Sequence, residues 1–198
     1  MHLGFGIASA SEPLQEIETT TQPFLLYVGL REGYKNFEGL LRAYSASPTL
    51  KNGYDLVCFG GGPFNHTECD IIDSLGLNAN SVRHASGNDD KLASYYRAAR
   101  AFVFPSLYEG FGIPPLEAMH YGCPVACSNT SSIPEVVGDA GLYFDPHDLE
   151  SVKFTLQKIV SDDQLRKDLI TSGNERIKQF SWKKCAEETL AIYSKVLI

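Results

Sequence analysis

At 198 residues the chain can bury one ordinary core, whereas two complete domains would be a tight fit. Apolar residues make up 43% and charged residues 21%, which excludes a disordered chain, and a net charge of -7 with a pI near 5.2 excludes the basic face that long nucleic acid demands. No apolar run approaches the roughly eighteen residues of a spanning helix, and the amino end has neither the basic region nor the apolar stretch of a secretory signal.

In chain order, residues 8 to 21 are rich in Ser, Glu and Thr with one Pro, and read as a solvated linker. Short apolar runs follow at 25 to 28, 55 to 59, 81 to 84, 101 to 104 and 124 to 127, each suited to a strand buried on both faces. Between them lie amphipathic segments: Phe37, Leu40, Leu41 and Tyr44 recur at helical spacing, as do Leu92, Tyr95, Tyr96 and Ala99. Strand and helix in strict alternation predict an α/β domain with a parallel sheet and helices on both faces. After Pro146 the pattern is helical, and Ser181 is placed to cap a last helix over about 182 to 197, with Ala186, Leu190, Tyr193 and Leu197 as one apolar stripe.

In such sheets ligands collect at the carboxyl ends of the strands. Three post-strand loops are rich in glycine or charge, at 29 to 35, 60 to 63 and 109 to 112. The five cysteines form no paired framework, which fits reduced thiols in a cytosol. Cys123 and Cys127 flank an apolar run with no third and fourth ligand nearby, so they read as small buried hydrophobes and no metal site is expected.

The most informative segment runs from Phe102 to Asn129. In it Glu109 and Glu117 stand eight positions apart on either side of a Gly-Phe-Gly turn. The glycines permit a tight turn with exposed amides, and Pro114 and Pro115 suit the first turn of a helix. A helix starting there aims free amides and a positive dipole end at the turn, a ready phosphate site. A carboxylate that accepts from two neighbouring hydroxyls is a good reader of a ribose diol or a sugar ring.

This segment resembles the donor-binding signature of the large retaining "group 1" family of GT-B glycosyltransferases, which carries a Glu-x7-Glu motif. The resemblance includes Pro105-Ser106, residues 109 to 112 (Glu-Gly-Phe-Gly), residues 114 to 119 (Pro-Pro-Leu-Glu-Ala-Met), residues 122 to 125 and residues 133 to 146, and it covers the chain from Phe24 to Leu197. It implies a Rossmann-like three-layer domain with a parallel sheet of about six strands and a helical C-terminus, one half of a GT-B architecture. Residues 1–22 would then be an interdomain linker remnant and 23–198 the nucleotide-sugar-binding domain, with the N-terminal acceptor domain absent.

The resemblance also implies roles. Glu109 meets the transferred sugar, the amides of Gly110, Phe111, Gly112 and Ile113 meet the diphosphate, and Glu117 holds the ribose. Arg31 and Lys35, after Gly29, form the basic pair that clamps the diphosphate, although Leu30 intervenes where many members place the arginine. Gly61 and Gly62 belong to a second glycine loop passing close to the donor, which a plain turn explains equally well. The stretch beginning at Val82 presents backbone to the nucleobase, and here it reads Arg-His-Ala-Ser in place of an aromatic residue and Gly.

By this resemblance the donor is a nucleotide diphosphate sugar, with GDP-mannose the first expectation and UDP-hexoses open. Transfer goes with retention to a glycan or lipid-linked acceptor and requires no metal. Such an enzyme is expected in the cytoplasm, at the inner membrane only through its other domain. The different-class alternative is a module that binds a nucleotide sugar without turning it over. A nicotinamide dehydrogenase is disfavoured because no Gly-x-Gly-x-x-Gly follows the first strand.

Overall fold

Phe24 and Leu26 face one side of strand β1 (Phe24–Val28), Leu25 and Tyr27 face the other, and all four are buried. That two-sided burial is why the run is continuously apolar. The computed structural model of the chain describes Ile17, residues 22–78 and residues 80–196; almost all of the expected linker at 1–22, and Leu197 of the expected stripe, lie outside the described residues.

The other strands are β2 (Asp55–Phe59), β3 (Val82–Ala85), β4 (Ala101–Phe104), β5 (Val125–Ser128) and β6 (Gly141–Phe144). Among the described residues they form one six-stranded sheet in the order β3-β2-β1-β4-β5-β6, with every neighbouring pair parallel. The third and fifth runs each register one residue later than the sequence pattern suggests. Ser81 and Pro124 instead offer carbonyls to the neighbouring strand ends, to the amides of Leu56 at 2.7 Å and Phe102 at 2.8 Å.

Helices α1 (Phe37–Ser45), α2 (Pro48–Gly53), α3 (His66–Ser74), α7 (Leu149–Ser161) and α8 (Asp163–Arg176) contribute to the core on the Leu25/Tyr27 face. Helices α4 (Asp89–Ala98), α5 (Ile113–His120) and α6 (Ile133–Val137) contribute to the core on the Phe24/Leu26 face. Phe37, Leu40, Leu41 and Tyr44 are all buried, so the helical spacing read from the sequence is the packed face of α1. Burying each such side chain stabilises the fold by roughly 1.5–3 kcal/mol.

The last helix, α9 (Trp182–Val196), begins where Ser181 Oγ accepts from the Lys184 amide at 3.1 Å. Its predicted stripe is not packed: Leu190 and Tyr193 are 64% and 61% exposed, while Cys185 is buried. No helix among the described residues is long and apolar enough to cross a membrane.

What the fold provides for a site is its reversal of strand order. β1 and β4 are neighbours, but the chain leaves β1 toward β2 and leaves β4 toward β5. The onward connections from β1 and β4 therefore run to opposite halves of the sheet, and the crevice outside the carboxyl ends of those two strands is the general ligand position in doubly wound sheets.

Candidate functional site

The β1 loop leaves the sheet at Gly29, whose φ of 121° lies in the left-handed region, and passes through a 3-10 turn at Gly33–Lys35. Asn36 then takes φ 53°, a conformation Asn tolerates, and its Nδ2 donates to the Pro146 carbonyl at 3.1 Å. The β4 loop descends opposite. The Leu107 amide donates to the Tyr34 carbonyl at 2.8 Å, which fastens the two loops together.

Across that fastening Lys35 Nζ reaches Glu109 Oε1 at 2.7 Å, with the two side chains only 19% and 13% exposed. The ammonium also lies over the rings of Tyr34 at 5.0 Å and Phe104 at 5.8 Å. Tyr34, Tyr108, Glu109 and Gly110 line an open cleft of about 270 Å³ beside the pair. A larger cleft, about 570 Å³, lies between the starts of α1, α3 and α7 and includes neither Glu109 nor Glu117.

Glu109 is held from a third loop. Ser131 Oγ donates to its carbonyl at 2.7 Å, and Ser132 Oγ donates to the carbonyls of Glu109 at 2.8 Å and Phe111 at 3.0 Å. Ser131 adopts φ 56°, which costs a non-glycine residue about 1 kcal/mol or more, a strain that these side-chain bonds help to offset. Sequence reasoning missed both serines; the string Ser-Ser-Ile-Pro before α6 signals a helix start but not which loop it clasps.

Helix α5 starts as the prolines indicate. Gly112 is its N-cap at φ 104°, and Pro114 and Pro115 fill the first turn. The amides of Phe111, Gly112 and Ile113 have no acceptor among the described residues. Their donors and the helix dipole give this turn a positive field.

About one turn into α5, Glu117 is partly buried, and Tyr96 Oη donates to its Oε2 at 3.1 Å. Burial pushes the Glu117 carboxyl above the usual carboxylate range, the tyrosine bond opposes that, and Asp89 adds to the rise. With one bond from Tyr96 and no other donor among the described residues, Glu117 is short of donors, an acceptor suited to vicinal hydroxyls.

Arg31 is placed differently from the expectation of a diphosphate clamp. Its Nε donates to Glu68 Oε1 at 2.7 Å, Nη1 to the Gly60 carbonyl at 2.9 Å and Nη2 to the Gly62 carbonyl at 2.8 Å, with the side chain 3% exposed. It also lies 4.9 Å from the Phe64 ring centroid. The three glycines at 60 to 62 all take positive φ, and a Cβ at Gly61 would fall 2.8 Å from Nη1 of Arg31 and 3.0 Å from the Gly29 carbonyl. This loop is therefore wrapped around a guanidinium, and close approach to that cation is what requires glycine at 61. Glu68 is presented by a capping box with Asn65 at the start of α3; burial pushes its carboxyl up, but the bonds from Arg31 and the Asn65 amide outweigh that and hold it below its ordinary value.

Val82 is not brought to the site. It is the first residue of β3, buried in the core and paired with Leu56, whereas the crevice opens at the far end, after Ala85. Three residues of parallel strand separate those ends by about 10 Å.

Cys123 and Cys127 are buried free thiols, and burial pushes the Cys123 thiol up to about 12. No group of His, Cys, Asp and Glu among the described residues could hold a metal ion.

The six-stranded parallel sheet with helices on both faces is a Rossmann-like α/β fold, and the solved structures that share it are GT-B glycosyltransferases, about half of whose length this chain covers. Residues 11–176 match the family described as glycosyl transferases group 1, and the chain belongs to that family. It is 40% identical over 185 residues to O-antigen chain mannosyltransferase B of Escherichia coli, covering 91% of this chain and 48% of that protein. It is 31% identical over 194 residues to the serotype-specific mannosyltransferase WbdA of Escherichia coli, covering 96% of this chain and 24% of that one. Among solved structures, sucrose-phosphate synthase from Thermosynechococcus elongatus superposes with a TM-score of 0.75 at 26% identity, over 91% of this chain and 47% of that one. The chain thus spans half or less of the length of each of these relatives.

Proposed function

We propose that this chain is the donor-binding half of a retaining mannosyltransferase that takes GDP-mannose and transfers the sugar to a hydroxyl of a growing glycan. The observation that carries the reading is the Lys35–Glu109 pair, set at the strand-order reversal beside the free amides that open α5. The mannosyltransferase relatives support the choice of sugar.

In this reading the diphosphate sits on the amides of Phe111, Gly112 and Ile113, and the ribose hydroxyls donate to Glu117. Glu109 accepts from hydroxyls of the transferred sugar. As the C1–O bond to the diphosphate breaks, negative charge develops on the leaving oxygen, and Lys35 stabilises it; one such positioned contact contributes about 3–4 kcal/mol. The acceptor oxygen bonds to C1 from the same face, and its proton passes to the leaving phosphate. The step needs no metal. Gly61 and Gly62 shape the wall near the donor, with Arg31 holding that wall from behind, and the backbone after Ala85 faces the base.

The acceptor side belongs to a preceding domain outside these 198 residues, with residues 1–22 as the connection, and any attachment of the enzyme to the cytoplasmic face of a membrane runs through that domain. The isolated chain binds nucleotide and does not turn it over. Calorimetric titration with GDP, UDP and ADP, in parallel with Glu117→Ala, tests this. Selective GDP binding that the variant loses is the expected result; a preference for UDP or ADP overturns the donor assignment, and binding that the variant retains removes Glu117 from the ribose site.

A further inference from the structure

We propose that Tyr96 is a positioning residue for the ribose-binding carboxylate: from the buried side of α4 its hydroxyl fixes Glu117 so that Oε1 is presented to the diol. The inference rests on the donor-half reading above and adds to it a residue that touches no substrate.

Tyr96 is fully buried, and its hydroxyl donates to Glu117 Oε2 at 3.1 Å. No described residue donates to Oε1. A carboxylate has about four acceptor positions, so one bond to Oε2 still leaves room for two ribose hydroxyls while fixing the carboxylate plane. The tyrosine cannot easily swing away. Its ring is edge-on to Phe102 at 5.5 Å and stacked with Tyr121 at 6.0 Å, and the Arg97 guanidinium lies 5.0 Å from the Tyr121 centroid on the outer side. This column of rings sets the hydroxyl before any ligand arrives, and a preorganised donor is what limits the ordering cost of binding.

The bond also carries a charge consequence. The groups around Glu117 are Tyr96 and Asp89 from α4 and Tyr121 at the end of α5. Asp89 and burial both favour the protonated carboxyl, and the Tyr96 hydroxyl is what opposes them. Removing that hydroxyl moves the protonation of Glu117 to higher pH, and a protonated carboxyl offers the diol fewer acceptor sites.

The test is Tyr96→Phe, which keeps the ring packing and deletes one oxygen, with Tyr44→Phe as control. Tyr44 is equally buried and donates to the Tyr54 carbonyl at 2.6 Å on the opposite face of the sheet. Carbon-13 NMR of the Glu117 carboxyl is followed against pH in the free chain, and GDP affinity is measured over the same range. Tyr96→Phe is expected to raise the Glu117 midpoint, to move the acid limb of GDP affinity upward by the same amount, and to weaken affinity several-fold above both midpoints; Tyr44→Phe moves neither. An unchanged Glu117 midpoint overturns the coupling whatever the ligand result. A shifted midpoint with an unmoved acid limb overturns the ribose role alone. Absence of nucleotide binding by the unsubstituted chain at every pH overturns the donor-half reading and the ribose role with it, while the midpoint still reports the tyrosine contact.

Discussion

Lys35 Nζ and Glu109 Oε1 lie 2.7 Å apart although 74 residues separate them in the chain. Each comes from the loop after a strand, and those strands, β1 and β4, are neighbours in the sheet with opposite onward connections. The pair is mutually neutralising in the free chain, and in the proposed reading a diphosphate competes for the ammonium. In that reading donor binding asks Lys35 to exchange one anionic partner for another, from a position already fixed at the reversal of strand order.

Replacing Lys35 with Ala removes the cation and leaves the Glu109 carboxylate unpaired. On the proposed function, kcat for sugar transfer by the enzyme that contains this domain is expected to fall by about 10²–10³-fold. Steady-state kinetics check this, and an unchanged kcat would take Lys35 out of the reaction.

Ser132→Ala deletes the hydroxyl that donates to the carbonyls of both Glu109 and Phe111. The expected outcome is a stability loss of about 1–2 kcal/mol in urea denaturation. GDP affinity should also weaken, because the glycine turn that carries the free amides loses its clasp.

Gly61→Ala puts a side chain at φ 69° and within 3.0 Å of the Gly29 carbonyl. Both effects act in the same direction, and a cost of about 2–3 kcal/mol follows. Chemical denaturation of the variant measures it; a change below roughly 0.5 kcal/mol would mean that the loop relaxes away from Arg31.

Glu68 and Glu117 are predicted to act oppositely on stability. The folded-state pKa of Glu68 is depressed, so its contribution is present above the unfolded value near 4.5 and is lost as pH falls through the folded value. Glu68→Gln should therefore be less stable than the parent at neutral pH, with the gap closing in acid. The Glu117 pKa is raised, so its ionised form is disfavoured by folding and Glu117→Gln should stabilise the free chain at neutral pH while weakening nucleotide binding. Denaturation midpoints at several pH values, read beside GDP affinity, separate the two cases.

The strands and the packed face of α1 are legible in the sequence because they depend on local periodicity, and the Pro-Pro start of α5 because it depends on local φ preferences. The partner of Arg31 is not. Its acceptors are carbonyls 29 to 31 residues further on and the Glu68 carboxylate 37 residues further on, and they converge only once β1 and β2 pair in parallel. Nor is the placement of Val82: its pairing with Leu56 sets it at the start of β3, the end of the strand away from the crevice, and that register comes from β2 rather than from any local pattern. Tyr96 belongs to a stripe whose spacing gives its ring to the core, and periodicity carries no information about where a phenolic hydroxyl ends.

The amide of Leu107 and the carbonyl of Tyr34 join the two site loops through main chain rather than side chain. A chimera that imports residues 29–36 from a relative with another donor keeps that hydrogen bond whatever side chains it brings, provided the new loop has the same length. A graft one residue longer or shorter breaks the bond and separates lysine from glutamate. On the proposed reading, exchanging the donor in this scaffold becomes a problem of matching loop lengths in pairs, with 29–36 and 105–112 moved together.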